Sequence, residues 1–247
     1  MAATLRPVRR PVTALLVVLS VAAGACGDDE EPERGQNNLI PTEAPAGAEP
    51  REKDPGAGDC EQVEAPAPRP DGGEEKPKER LDLAKTYEVE LTTNCGAFTI
   101  RLDQKRSPET AASFKVLAER GFFDGTVFHR IVPGFVIQGG DPTATGTGGP
   151  GYSTVDKPPA DARYTKGVVA MAKTAQEAPG TAGSQFYVVT GPDAQLPPDY
   201  AILGEVRDDG LDVVEAIGQL GDPATEMPLQ PVVIETAKVV ELGEGGP

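Results

Sequence analysis

The chain has 247 residues, with 39 acidic and 23 basic side chains, three cysteines, one histidine and a formal net charge of −16. Such acidity argues against a nucleic-acid partner, because phosphates are held by Lys and Arg, and against adhesion to anionic lipid headgroups. With a single histidine and no Cys-x-x-Cys, a metal site of the zinc type has no ligand set, and neither metal nor cofactor is expected.

Residues 1–25 carry Arg6, Arg9 and Arg10, no acid, and then an apolar run from Val12 that ends in small residues. A basic start, a short apolar stretch and a small-residue stop make an export signal, and the run falls short of the ~20 apolar residues that span a bilayer. It closes on Ala23-Gly24-Ala25-Cys26, which resembles a bacterial lipobox with Cys26 as the lipidated residue. An ordinary secretory signal followed by an incidental cysteine would look the same up to Ala25. Removal of the signal's +3 leaves a mature charge of −19.

From Cys26 to Arg80 the composition is Pro, Gly, Ala, Glu and Asp, as in "EAPAPRPDGGEEKPKER". Such a segment lacks the apolar surface to offset chain entropy and is expected to be a disordered linker. As a coil it would span roughly 40 Å, a spacer between a domain and a membrane. If Cys26 carries lipid, Cys60 and Cys95 are left as an even pair, and in an exported protein that pair is a disulfide candidate.

The folded domain is expected over 81–247. "YEVELTT" and "AFTIRL" alternate on either side of Asn94-Cys95-Gly96 and read as a β-hairpin. Ser107-Pro108-Glu109 is a helix start, with Ser107 as N-cap, and Ala111, Phe114, Leu117 and Ala118 recur on one face until Gly121 stops the helix. Strand-like runs follow: "TVFHRIV", "FVIQGG", "GVVAMA", "SQFYVV", "AILGEV" and "VVIETAKVVEL", with a second helix at "GLDVVEAIGQL". About eight strands and two helices fit a mainly β domain, and closure into a barrel would remove exposed edges.

The segment "FHRIVPGFVIQGGDP" places Arg130, Gln138 and the sole histidine, His129, inside apolar strands. Polar groups there need partners or a purpose. No nucleophile elbow is present, and His129 reads as a structural, hydrogen-bonded residue. "GTGGPG" lacks a following GK[ST] and reads as a mobile surface loop.

Taken in order, "FHRIVPGFVIQGGDP", "GTGGPGY", "GVVAMA" and "GSQFYV" resemble a cyclophilin-type peptidyl-prolyl cis–trans isomerase over about Tyr87 to Leu242. The resemblance implies a closed eight-stranded antiparallel barrel capped by two helices, with a groove on its outer face. It assigns catalysis to Arg130, Phe135 and Gln138. It assigns substrate binding to Val136, Ala172, Lys173, Gln185, Tyr187, Gln195, Leu196 and Tyr200. It implies Xaa-Pro segments of unfolded or newly exported chains as partners, with no cofactor. A monomer is expected, exported and attached to the membrane through lipid alone. The sequence departs from the common pattern at Lys173 (often Asn), Tyr187 (often Phe), Gln195 (often Trp) and Tyr200 (often His). A proline-binding adaptor or holdase with incidental turnover is the alternative, and an intact Arg130 favours the enzyme.

Overall fold

The computed structural model describes residues 60–243, all of which belong to one compact unit. Residues 1–59, which hold the expected signal peptide, Cys26 and most of the expected linker, and residues 244–247 lie outside the described residues.

The hairpin forms as expected. Strand β1 (Thr86–Thr93) pairs antiparallel with β2 (Gly96–Leu102), and Asn94-Cys95 makes the turn. Helix α1 (Pro108–Glu119) follows, and Ala111, Phe114, Leu117 and Ala118 all enter the core. Ser107 occupies the N-cap but its side chain caps nothing. The Thr110 N–H instead donates to Asp156 Oδ2 at 2.7 Å, so a distant carboxylate closes the helix N-terminus. That substitution was invisible locally, because the cap lies 46 residues away.

The run "TVFHRIV" is two strands, not one: β3 (Thr126–Val127) and β4 (Arg130–Val132). Strands β5 (Val136–Gly139), β7 (Val168–Met171), β9 (Phe186–Val189), β10 (Ile202–Val206) and β11 (Val233–Leu242) complete the main sheet, with α2 (Leu211–Gly218) before β11. A small side pair joins β6 (Thr154–Val155) to β8 (Thr181–Ala182). The main sheet has nine strands in the order β3-β11-β1-β2-β10-β7-β9-β5-β4. Its end strands, β3 and β4, are separated in the chain only by Phe128 and His129, so the sheet must curl until its ends meet. The expected ring of eight paired strands is corrected accordingly. Among the described residues no ladder joins β3 to β4: Phe128 and His129 link them along the chain, and a single bridge ties Val127 of β3 to Asp141 just after β5.

Both faces of the curled sheet are apolar, and strand alternation separates them. Ile131, Ile137, Val169, Met171, Phe186, Val188 and Leu203 point inward to the main core with Phe114, Phe123 and Phe128. Their chain neighbours Val136, Val168, Ala170, Tyr187, Val189 and Ile202 form a second cluster on the outer face.

The linker expected to be disordered to Arg80 is placed from Cys60 onward. It has no regular element, yet it is strapped to the domain. Cys60 is disulfide-bonded to Cys95 across 35 residues of sequence. The Glu61 N–H donates to the Asn94 carbonyl at 2.7 Å, and buried Asn94 returns its side-chain N–H to the Glu61 carbonyl at 2.7 Å. Arg69 stacks over Phe122 and donates to its carbonyl. Gly72 and Glu74 donate to the carbonyls of Gly149 and Pro150, both at 3.0 Å. Composition missed this because the strap has no apolar core of its own: a covalent bond and main-chain hydrogen bonds to the domain hold it.

We expect Cys60→Ser with Cys95→Ser to lower unfolding stability by about 2–3 kcal/mol, since closing a loop of this size restricts the unfolded chain. A urea titration should show a lower midpoint. An unchanged midpoint would mean that the bond adds nothing in solution.

Candidate functional site

Three side chains expected at the site are aligned by register. Arg130 in β4 pairs with Gln138 in β5, Gln138 with Tyr187 in β9, and Tyr187 with Ala170 in β7. Directly paired residues share a face, so this row lies on the outer face beside the second apolar cluster. A one-residue slip in β5 would turn Gln138 into the core and Ile137 outward.

Phe135 reaches the same place through a turn. The Phe135 N–H donates to the Val132 carbonyl at 3.0 Å, and Gly134 takes φ +71° after Pro133. Proline then a left-handed glycine is a type II turn. The Phe135 carbonyl in turn accepts from the Thr190 N–H at 2.9 Å, which fixes the turn to the end of β9.

Arg130, Phe135, Val136, Gln138, Ala172, Lys173, Tyr187, Leu196 and Tyr200 together line an open hollow of about 300 Å³. Gln185 lies just beyond. Its side-chain carbonyl accepts from Gln138 Nε2 at 3.1 Å, and its own Nε2 donates to the Gly148 carbonyl at 2.9 Å. Gln195 is not brought in. It is exposed, has φ +52°, and borders a separate depression with Arg163 and Asp193. Tyr200 and Lys173 do flank the hollow, and the Lys173 ammonium stands 5.6 Å from the Tyr200 ring centre.

A second hollow of about 530 Å³ continues past Gln138, Ala172 and Lys173, walled by the Gly146–Ser153 loop and by Asp71 of the strap. The glycine-rich loop, expected to be mobile, is tied down by buried Asp141. That carboxylate accepts from the N–H groups of Thr143 at 2.7 Å, Gly146 at 2.6 Å and Gly148 at 3.2 Å. Burial alone would raise the Asp141 carboxyl; hydrogen bonds from Thr143, Gly148 and Gly146 outweigh it and hold the group below the usual carboxylate range. A side chain at Gly148 would meet Asp141 Oδ1 at 2.3 Å, so only glycine fits. Asp71 also accepts from the Gly149 N–H at 2.7 Å.

Sequence reasoning missed Glu226. It lies on the loop after α2, 96 residues from Arg130, and its Oε2 accepts from Arg130 Nε at 2.7 Å. The other contact is longer: Arg130 Nη1 lies 3.5 Å from Gln138 Oε1. Nη2 has no hydrogen bond among the described residues. No motif marked Glu226; the only local signal is an acid in a Pro-rich turn that precedes the last strand.

His129 was expected to be hydrogen-bonded, but both its ring nitrogens are buried with no hydrogen-bond partner among the described residues. Burial lowers its pKa, against the opposing pull of Asp141. It is therefore a neutral group, and it does not line the hollow.

A profile of the family "Cyclophilin type peptidyl-prolyl cis-trans isomerase/CLD" matches residues 88–239. The chain belongs to that family. It is 40% identical over 175 residues to peptidyl-prolyl cis-trans isomerase B of Streptomyces anulatus, covering 64% of this chain and 98% of that one. It is 37% identical over 161 residues to peptidyl-prolyl cis-trans isomerase-like 1 of Aspergillus oryzae, covering 64% and 98%. Among solved structures, the cyclophilin-type isomerase of Cryptosporidium parvum, crystallised in the presence of the dipeptide Ala-Pro, superposes with a TM-score of 0.57 at 29% identity, covering 62% of this chain and 98% of that one. The protein is thus a cyclophilin-type peptidyl-prolyl cis–trans isomerase, and proline-containing peptides are its substrate class. The strap from Cys60 to Arg80 falls outside the matched residues.

Within this cyclophilin's hollow, Tyr187 Oη is buried and makes no hydrogen bond among the described residues. Burial raises its pKa far above the ordinary phenol value, so it stays protonated. An unpaired buried hydroxyl destabilises a fold by ~1–3 kcal/mol. Tyr187→Phe should therefore raise the melting temperature by roughly 2–12 °C. A scan that shows a lower melting temperature would mean that the hydroxyl has found a partner, such as an ordered water.

Proposed function

We propose that this isomerase is an exported lipoprotein that turns Xaa-Pro bonds in unfolded or newly exported chains, and that Arg130 drives the rotation. The placement of Arg130 carries the reading. Its guanidinium borders an apolar hollow suited to a prolyl ring, and its Nη2 has no partner among the described residues.

The chemistry follows from the amide. An Xaa-Pro bond resists rotation because nitrogen shares its lone pair with the carbonyl, and the barrier to rotation is about 18–20 kcal/mol. As the bond twists, that pair localises on nitrogen and becomes a hydrogen-bond acceptor. A guanidinium N–H aimed at it is stronger in the twisted state than in either planar state. It therefore lowers the barrier and does not merely hold substrate. Uncatalysed isomerisation takes ~10–100 s, and reaching milliseconds requires about 7 kcal/mol. No proton is transferred and no covalent intermediate forms, so neutral His129 and the lack of a nucleophile are no obstacle. Phe135, Val136, Tyr187 and Leu196 would enclose the prolyl ring. Gln138 and Gln185 would orient the peptide and the guanidinium. Ala172, Lys173 and Tyr200 would border the chain that precedes proline. Gln195, being outside the hollow, is left with no role in this reading.

Arg130→Ala should keep the fold and lose about 10²-fold or more in kcat/KM, the usual cost of removing one transition-state donor. Arg130→Lys should recover little, because an ammonium lacks the planar fork. A protease-coupled assay on an Xaa-Pro peptide measures both. Near-normal turnover in folded Arg130→Ala would favour a proline-binding adaptor with incidental turnover.

The export reading rests on the basic, then apolar N-terminus and Ala23-Gly24-Ala25-Cys26. On this reading the domain acts as a monomer at the outer face of a membrane, held by lipid on Cys26. Cys26→Ser should move the protein from the membrane fraction to the soluble one. If both forms fractionate as soluble, there is no anchor at this residue.

A further inference from the structure

We propose that Glu226 is a positioning residue for Arg130, setting the plane of the guanidinium so that its free Nη2 edge faces the prolyl amide. The inference rests on the catalytic reading of Arg130 given above. Arginine has a long side chain, and here about a third of it is exposed. Left to itself it would sample many rotamers and lose entropy on each encounter with substrate. A planar group is fixed in position and orientation when two of its nitrogens are held. Glu226 Oε2 holds Nε at 2.7 Å, and Gln138 Oε1 lies 3.5 Å from Nη1. Of the two, only the contact with Glu226 is short and charge-assisted. Without it, one long contact remains and the plane is free to tilt.

The loop that carries Glu226 is built onto the strand that carries Arg130. The Ile131 N–H donates to the Glu226 carbonyl at 2.9 Å, and the Glu226 N–H to the Asp222 carbonyl at 2.8 Å. The Asp222 carboxylate caps the Ala224 N–H at 2.7 Å, and the Leu229 N–H closes the loop onto the Leu220 carbonyl at 2.7 Å. At the loop's base, a side chain on Gly221 would stand 2.3 Å from the Ile131 carbonyl, so that backbone is seated directly on β4. Arg130 and its carboxylate partner are thus referenced to adjacent residues of one strand.

Glu226 itself has φ +59°. That region suits glycine and disfavours a side chain such as glutamate. A backbone alone would be better served by glycine, yet a carboxylate stands here, and its one side-chain polar partner among the described residues is Arg130. This separates a positioning role from a structural one. Glu226→Gly removes the carboxylate and relieves the backbone at once. A residue that served the fold would lose stability on that change; a positioning residue loses turnover while stability holds or rises.

The experiment is a double-mutant cycle on the full chain. Glu226→Gly should melt at or above the wild-type temperature and lose about 10-fold in kcat with KM little changed, the scale expected for a misplaced catalytic group. Glu226→Gln keeps an oxygen that accepts from Nε and should stay within about 3-fold of wild type, a neutral acceptor being the weaker one. In an Arg130→Ala background, Glu226→Gly should change nothing further. The Arg130 Nε–H resonance should be resolved in wild type and Glu226→Gln, and averaged or exchange-broadened in Glu226→Gly. Wild-type kcat in Glu226→Gly alongside inactive Arg130→Ala would overturn the positioning role alone. An equal loss from Glu226→Gly in both backgrounds would overturn it too, by showing an effect on the fold. Full activity in Arg130→Ala would remove the catalytic reading, and the positioning role with it.

Discussion

A cation assists a twisting amide only if its N–H direction is fixed before the twist begins. Water would solvate a loose guanidinium and cancel much of the gain, because the benefit depends on dipoles that need no reorganisation at the moment of reaction. On the proposed role of Arg130, the architecture meets that constraint. Arg130 stands on a short strand at one end of the main sheet, where its face is open to the groove, yet it is registered to Gln138 and through it to Tyr187. The inward residues of the same strands, Ile131, Ile137, Phe186 and Val188, are fully buried in the core. They hold the register that holds the row. Core packing and site geometry are therefore the same fact seen from two faces of one sheet.

Legibility in the sequence followed the range of the interaction. Alternation in β1 and β2, the Asn94-Cys95-Gly96 turn between them and the apolar face of α1 are all short-range, and each was readable from spacing. The site residues on or beside β4, β5 and β9 and just after β7 were readable through ordered motifs, and most of them line one hollow. What stayed hidden was long-range. Asp156 caps α1 from 46 residues away, Glu226 meets Arg130 from 96, and Asp71 reaches the Gly149 N–H across 78. Gln195 failed for a different reason. Its position in the pattern pointed to a groove wall, but a left-handed backbone at φ +52° and an Asp193 carboxylate on its N–H turn it to the exterior. The split of "TVFHRIV" into two strands was hidden as well, since only the sheet's curl requires one run to serve both ends.

The strap shows why composition alone misjudged residues 60–80. Low hydrophobicity rules out an independent core, but it does not rule out order borrowed from a neighbour. Asn94 is the clearest case: its side-chain amide donates to the Glu61 and Pro231 carbonyls at 2.7 and 3.1 Å and accepts from the Val233 N–H at 2.8 Å. One buried amide thereby joins the strap, the hairpin turn and the last strand.

The fastenings of the strap differ in kind along its length. At its start, Cys60 is joined by a covalent bond to Cys95 in the hairpin turn. The main-chain contacts of Gly72 and Glu74 to the glycine-rich loop lie downstream of that bond. Those contacts are hydrogen bonds of modest individual strength, and they help to shape the second hollow beside the groove. The disulfide thus fixes the start of the strap covalently, while the weaker contacts beyond it keep the wall of the second hollow in place.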